Sequence, residues 1–158
     1  MKEDRRECQI CGRAIKAKSG VIAHHGYTRP GHGWGQTRSC AGARHLPYDV
    51  AHDVLDMELE AMAKRISEAE AAAAKFIAAP PAELKEIPRR SYQWKDAKTF
   101  QRPEGFDGEK EAASGSGRPG YQGLFVSTVW EDKRRIKAMK DYRAFIQTRR
   151  DNWKGPLQ

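Results

Sequence analysis

Cys8-Gln9-Ile10-Cys11-Gly12-Arg13 places two thiols two residues apart and follows them with a glycine. That is the form of a zinc knuckle, in which a tight turn aims both sulfurs at one point and the glycine lets the chain return. Zinc in a structural site takes four tetrahedral Cys or His ligands, so the knuckle needs two more. Cys40 is the only other cysteine, and His24, His25, His32 and His45 are candidates for the fourth position. Spacing does not force the choice: His24 gives C-x2-C-x12-H-x15-C, His25 gives C-x2-C-x13-H-x14-C, and His45 gives a second C-x4-H pair with Cys40. Arg6, Arg13 and Lys16 are near enough in sequence to favour thiolate over thiol. The alternative is three free structural thiols and solvent-facing histidines, which the density of the pattern within one glycine-rich segment argues against.

The rest of the composition explains why a metal is wanted. With 158 residues, 39% hydrophobic and 32% charged, and a mean hydropathy of −0.83, the chain has few side chains to fill an interior. Ordering the backbone costs roughly 1–2 kcal/mol per residue, and a zinc site adds its binding free energy directly to folding. Three cysteines cannot all pair as intramolecular disulfides, which suits thiolate ligands in a reducing compartment. No apolar run reaches the roughly 20 residues of a membrane span, and Met1-Lys2-Glu3-Asp4-Arg5-Arg6 has no signal-peptide core. A cytoplasmic protein is the expectation.

Downstream of the knuckle the pattern becomes helical. Leu55, Leu59, Met62, Ile66, Ala69, Ala73 and Phe76 recur at alternating steps of four and three, an a/d seam. The seam wants a partner helix. Pro80-Pro81 ends it, and Leu46-Pro47-Tyr48-Asp49 is the expected start. A second helix is predicted from Ser127 or Thr128, with Glu131 completing a capping box after Thr128, to a stop at Gly155-Pro156. Between them, Pro88, Pro103, Ser114-Gly115-Ser116-Gly117 and Pro119-Gly120 read as a connection. Tyr92, Trp94 and Phe100 are expected there as anchors onto the helices.

The predicted architecture is therefore mainly α: a loop-rich zinc module (1–45), a long heptad-bearing helix (46–80), an irregular Pro/Gly-rich linker (81–126) and a basic amphipathic helix (127–154). The two helices form either a hairpin or a coiled-coil homodimer through the 55–76 seam.

Cys8-Gln9-Ile10-Cys11-Gly12-Arg13, His24-His25-Gly26-Tyr27-Thr28-Arg29-Pro30-Gly31, Cys40-Ala41-Gly42 and Leu46-Pro47-Tyr48 together resemble a group of small zinc-binding proteins encoded by phages and prophages. The likeness covers about residues 8–52. It implies a zinc module of mobile-element origin and favours His25, the histidine followed by glycine and an aromatic, as the fourth ligand. It implies no activity.

Function is read from charge and from missing motifs. Residues 1–45 carry nine basic and three acidic groups and 127–158 carry nine and four, whereas 46–80 carry three and seven. Basic ends suit a polyanion, and Arg134, Arg135, Lys137 and Lys140 are the expected nucleic-acid contacts. The second ligand pair is not H-x3-5-H, so helix-in-groove base readout is not implied. Cys8, Cys11, His25 and Cys40 close the zinc shell with no position for water, and residues 8–45 contain no Asp or Glu to serve as a base. Zinc-deaminase and zinc-protease signatures are absent. A His-Asn-His nuclease lacks its asparagine, since Asn152 is the one asparagine in the chain. Pro30-Gly31-His32-Gly33-Trp34-Gly35 lacks the Gly-Lys-Ser/Thr of a phosphate loop. The expectation is a non-enzymatic, nucleic-acid-associated zinc protein. The alternatives are a phage accessory factor that binds and modulates a host protein, and a metal-dependent nuclease.

Overall fold

The computed structural model describes residues 4–27, 37–86, 97–115 and 119–156. Among them the fold is mixed α/β. Helices dominate, but short antiparallel strands build the N-terminal part and recur in the middle of the chain.

Strands β1 (Arg5–Glu7), β2 (Ala14–Lys18) and β3 (Val21–Ile22) form one antiparallel sheet in that order. Arg6 pairs with Ile15, so the Cys8–Arg13 knuckle is the β1–β2 connection. Ser19 and Gly20 both take positive φ, +53° and +81°. This is the two-residue turn whose twist matches that of its flanking strands. Strands β4 (Gly26–Tyr27) and β5 (Thr37–Ser39) make a second antiparallel pair. Helix α1 follows at Asp53–Ala78. Next come β6 (Glu83–Glu86), β7 (Lys98–Gln101), the short helix α2 (Gly108–Ser114) and the long helix α3 (Tyr121–Asp151).

Two compact units result. The first comprises residues 1–65 and 138–158, and the second residues 66–137. Charge and glycine content had marked off 1–45 as a module. Within the first unit that segment shares its core with helix: Cys8, Ile10, Ile22 and Cys40 are buried together with Val54, Leu55 and Met62 of α1 and Tyr142 and Ile146 of α3. The second unit is centred on Tyr121, Phe125, Val126 and Val129, against which Phe76, Ile77, Leu84, Phe100 and Phe106 pack. Phe76 stacks on Phe125 with ring centroids 5.0 Å apart. Of the heptad seam, Leu55 and Met62 share the buried cluster of the first unit with Tyr142 and Ile146, and Phe76 packs in that of the second.

Three sequence-based boundaries are corrected. Helix α1 begins at Asp53 rather than near residue 46, because residues 47–51 form a turn in which the Val50 and Ala51 N–H groups both bond Pro47 O. Asp49 serves there as the partner of Arg6, whose Nε donates to its carboxylate at 2.8 Å. Helix α3 begins at Tyr121 after Gly120 at φ +87°, and Thr128 lies inside it with its hydroxyl bonded to Leu124 O, one turn back. The segment expected to be an irregular linker holds the β6–β7 ladder, registered from Glu83↔Gln101 to Glu86↔Lys98, and α2, capped by Asp107. Phe100 is an anchor as expected. Tyr92 and Trp94 lie outside the described residues.

Candidate metal centre

Each of the four ligand positions is fixed by local backbone. In the knuckle, Gly12 N–H bonds Cys8 O and Cys8 N–H bonds Arg13 O, both at 3.0 Å. Gly12 sits at φ +70°, a conformation that costs other residues about 1 kcal/mol or more. Cys40 follows β5 and is held against the third position by its N–H, which donates to His25 O at 3.0 Å. The loop after it is sewn to β3: Arg44 N–H bonds Ile22 O at 2.7 Å and Ile22 N–H bonds His45 O at 2.9 Å. Buried Ile22 lies beneath.

These elements bring Cys8, Cys11, His25 and Cys40 together, with one ligand atom from each within 4.8 Å of all the others. The sulfurs of Cys8 and Cys40 are 3.8 Å apart, and Cys11 Sγ lies 3.3 Å from His25 Nε2. A tetrahedron with ~2.3 Å metal–sulfur and ~2.0 Å metal–nitrogen bonds has S···S edges of about 3.8 Å and S···N edges of about 3.5 Å. Two of the six edges are near those lengths, the four side chains lie close enough to bind a metal ion, and all three cysteines are free of disulfides. His25 is oriented from behind, its Nδ1 donating to Ala23 O at 2.8 Å and leaving Nε2 to face the sulfurs. A ligating imidazole fixed through its other nitrogen is the usual arrangement. His24 and His45, the alternatives left open by spacing, are exposed and outside the cluster. His32 and Trp34 lie outside the described residues.

The electrostatics favour a cation. The Cys11 thiol is held far below the ordinary thiol range by hydrogen bonds from Cys40 and Cys8, and then by Arg13, whose Nε is 3.5 Å from its sulfur. Cys40 and Cys8 are pushed up, chiefly by the Cys11 sulfur beside them. Three sulfurs so close cannot all ionise until a positive ion joins them. Of the three basic residues expected to act here, Arg13 does so. Arg6 is instead spent on Asp49.

No family model, curated protein or solved structure matches the chain.

The support around the ligands includes residues that the sequence did not disclose. Gln9, fully buried, has its Nε2 bonded to Leu46 O at 2.9 Å and Asp53 Oδ1 at 3.0 Å, while its Oε1 accepts from Val54 N–H at 3.1 Å. The knuckle thereby caps the start of α1. Arg149 of α3 donates to Gln9 O at 2.9 Å, Cys8 O at 3.2 Å and Glu7 Oε1 at 2.8 Å. It also lies over the Tyr48 ring, and Trp153 Nε1 bonds Tyr48 O at 2.6 Å. The only signal for such contacts is the presence of Arg149 and Trp153 near the chain end, which does not say what they touch.

The residues expected to contact nucleic acid are all on α3 and exposed: Arg134, Arg135, Lys137 and Lys140. Arg135 is paired with Asp132 at 3.2 Å. Among the described residues no helix is long and apolar enough to cross a membrane.

Proposed function

We propose that the chain is a non-enzymatic protein, folded around one structural zinc ion, that associates with nucleic acid through the exposed basic side of α3. The donor set carries the first half of this reading. Three sulfurs and one imidazole nitrogen within 4.8 Å of one another suit Zn2+, and four protein ligands would fill its usual coordination. Three thiolates around a divalent ion leave one negative charge, which the Arg13 guanidinium at Cys11 offsets. Cys8 and Cys40 are buried, and Glu7, a carboxylate beside the knuckle, is engaged by Arg149. A metal-bound water would have neither a coordination position nor a free base, which supports a structural role.

The second half rests on the exposure of Arg134, Arg135, Lys137 and Lys140 along one helix of a chain with net charge +8. Lysine and arginine contacts to phosphate supply most nonspecific affinity, and each contact releases counterions. Metal analysis should return one zinc per chain. Affinity for nucleic acid should fall steeply with salt, by tenfold or more between 50 and 200 mM for about three or more contacts. Binding that is absent at low salt, or independent of salt, overturns the nucleic-acid reading and makes a protein target the better one.

A further inference from the structure

Trp130 is 64% exposed in the N-terminal third of α3. Among the described residues of the second unit it is the large hydrophobic side chain left open to solvent. Other aromatic side chains of that unit are used in packing: Phe76, Phe100, Phe106, Tyr121 and Phe125. Helix α3 also hides Val129 and Val126, the neighbours of Trp130 toward its N-terminus, in the same core. An indole on the outer side of the next turn adds nothing to that core.

Its neighbours on the helix surface are cations. Lys133 and Arg134 stand three and four residues on, about one turn or 5 Å along the axis, and Lys137 follows at seven. All three are exposed. Among the described residues Lys133 and Arg134 are in no ion pair, whereas Arg135, on another side of the helix, is engaged by Asp132. A protein-binding hot spot sits inside an apolar patch that excludes water. Here the rim is charged on the side where Trp130 is open. A flat aromatic ring flanked by positive charges matches a base and its adjoining phosphates. In a duplex the base faces are hidden in the stack, so the matching partner is a single strand.

We infer that Trp130, with Lys133 and Arg134, is a stacking platform for single-stranded nucleic acid, an inference that rests on the nucleic-acid reading and adds the state of the strand. The full-length, zinc-loaded chain is titrated against a fluorescein-labelled oligothymidylate and a blunt-ended DNA duplex of equal phosphate number, at two salt concentrations. The wild type should prefer the single strand. Trp130→Ala should lose about 5- to 150-fold in affinity for it, the range for one stacked base, with an unchanged salt slope. Trp130→Phe should keep most of the affinity. Lys133→Gln with Arg134→Gln should reduce the salt slope by about 1.4. Salt-dependent binding that ignores Trp130→Ala, or a preference for duplex, overturns the platform and leaves the nucleic-acid reading standing. Failure to bind either probe overturns both.

Discussion

Gly42 shows how little room a ligand set leaves for its neighbours. A methyl group there would lie 2.5 Å from Cys8 Sγ and 3.3 Å from Ile10 N, well inside contact distance, and neither the sulfur nor the backbone can withdraw without disturbing the knuckle. Gly42→Ala should cost about 1–3 kcal/mol of stability, the usual toll of forcing atoms into a packed site. It should also hand the metal to a chelator at lower chelator concentration than the wild type requires. An unchanged chelator midpoint would mean that Cys8 is not where the structure puts it. In the sequence Gly42 is part of Cys40-Ala41-Gly42, but nothing there says what a side chain at this position would meet. The ligand cysteines were legible because thiols two residues apart constrain chemistry directly. His25 was not separable from His24 by spacing, since adjacent residues differ only in which way the chain points them. That direction comes from β4 pairing with β5 and from the bond of Nδ1 to Ala23 O. Gln9 was silent for a related reason: glutamine between two cysteines reads as a polar filler until α1 is laid against it.

At the scale of elements, helical periodicity was legible and helix ends were not. The alternation from Leu55 to Phe76 lies within Asp53–Ala78, because a seam of apolar residues is buried wherever the helix happens to start. The start itself moved, since Gln9, 45 residues back in the chain, supplies the acceptor for Val54 N–H. A local cap signal at Leu46-Pro47 had no means of competing. The same holds for α3. Thr128 and Glu131 spell a capping box, yet Gly120 turns the chain earlier and Tyr121 and Phe125 are needed in the second core. This difference is measurable. A capping threonine replaced by alanine costs about 1 kcal/mol, whereas one inside a helix that bonds the carbonyl one turn back contributes little or bends the helix. Thr128→Ala should therefore change the denaturation midpoint by no more than a few tenths of a kcal/mol, in either direction. A loss near 1 kcal/mol would restore the later start. The β6–β7 ladder escaped notice because Glu83–Glu86 and Lys98–Gln101 are short, largely polar and exposed. Only Leu84 and Phe100, paired across the strands, report the buried side.

Across the whole molecule the first unit is closed by its two chain ends. The C-terminal part of α3 lies against the knuckle, where Arg149 bonds the carbonyls of Cys8 and Gln9 and Tyr48 donates its hydroxyl to Arg149 O at 2.5 Å. The first 45 residues taken alone read as a small, loop-rich zinc module. In the structure the buried residues of this unit come from the knuckle, α1 and α3 together, so that an ion held by the four side chains would support helix as well as loop. The reason lies in numbers of side chains: among the described residues of the module Ile10 and Ile22 are the fully buried large apolar ones, too few to offset the entropy of ordering it. The second unit has its own aromatic cluster and no member of the ligand set. Stripping the metal should therefore act unevenly. Structural zinc contributes roughly 10–16 kcal/mol of apparent binding free energy in small zinc domains, more than the usual 5–15 kcal/mol stability of a whole fold can spare. Hydrogen exchange followed by mass spectrometry, with and without chelator, should show protection lost in peptides covering residues 5–26, 37–62 and 142–153. Peptides covering 83–86, 98–101 and 121–129 should keep theirs, because the contacts of Phe125 with Phe76 and Phe106 contain no metal-dependent partner. Uniform loss across both sets would show a single cooperative fold that the metal holds as a whole. No loss in either would show that the four side chains meet without needing an ion.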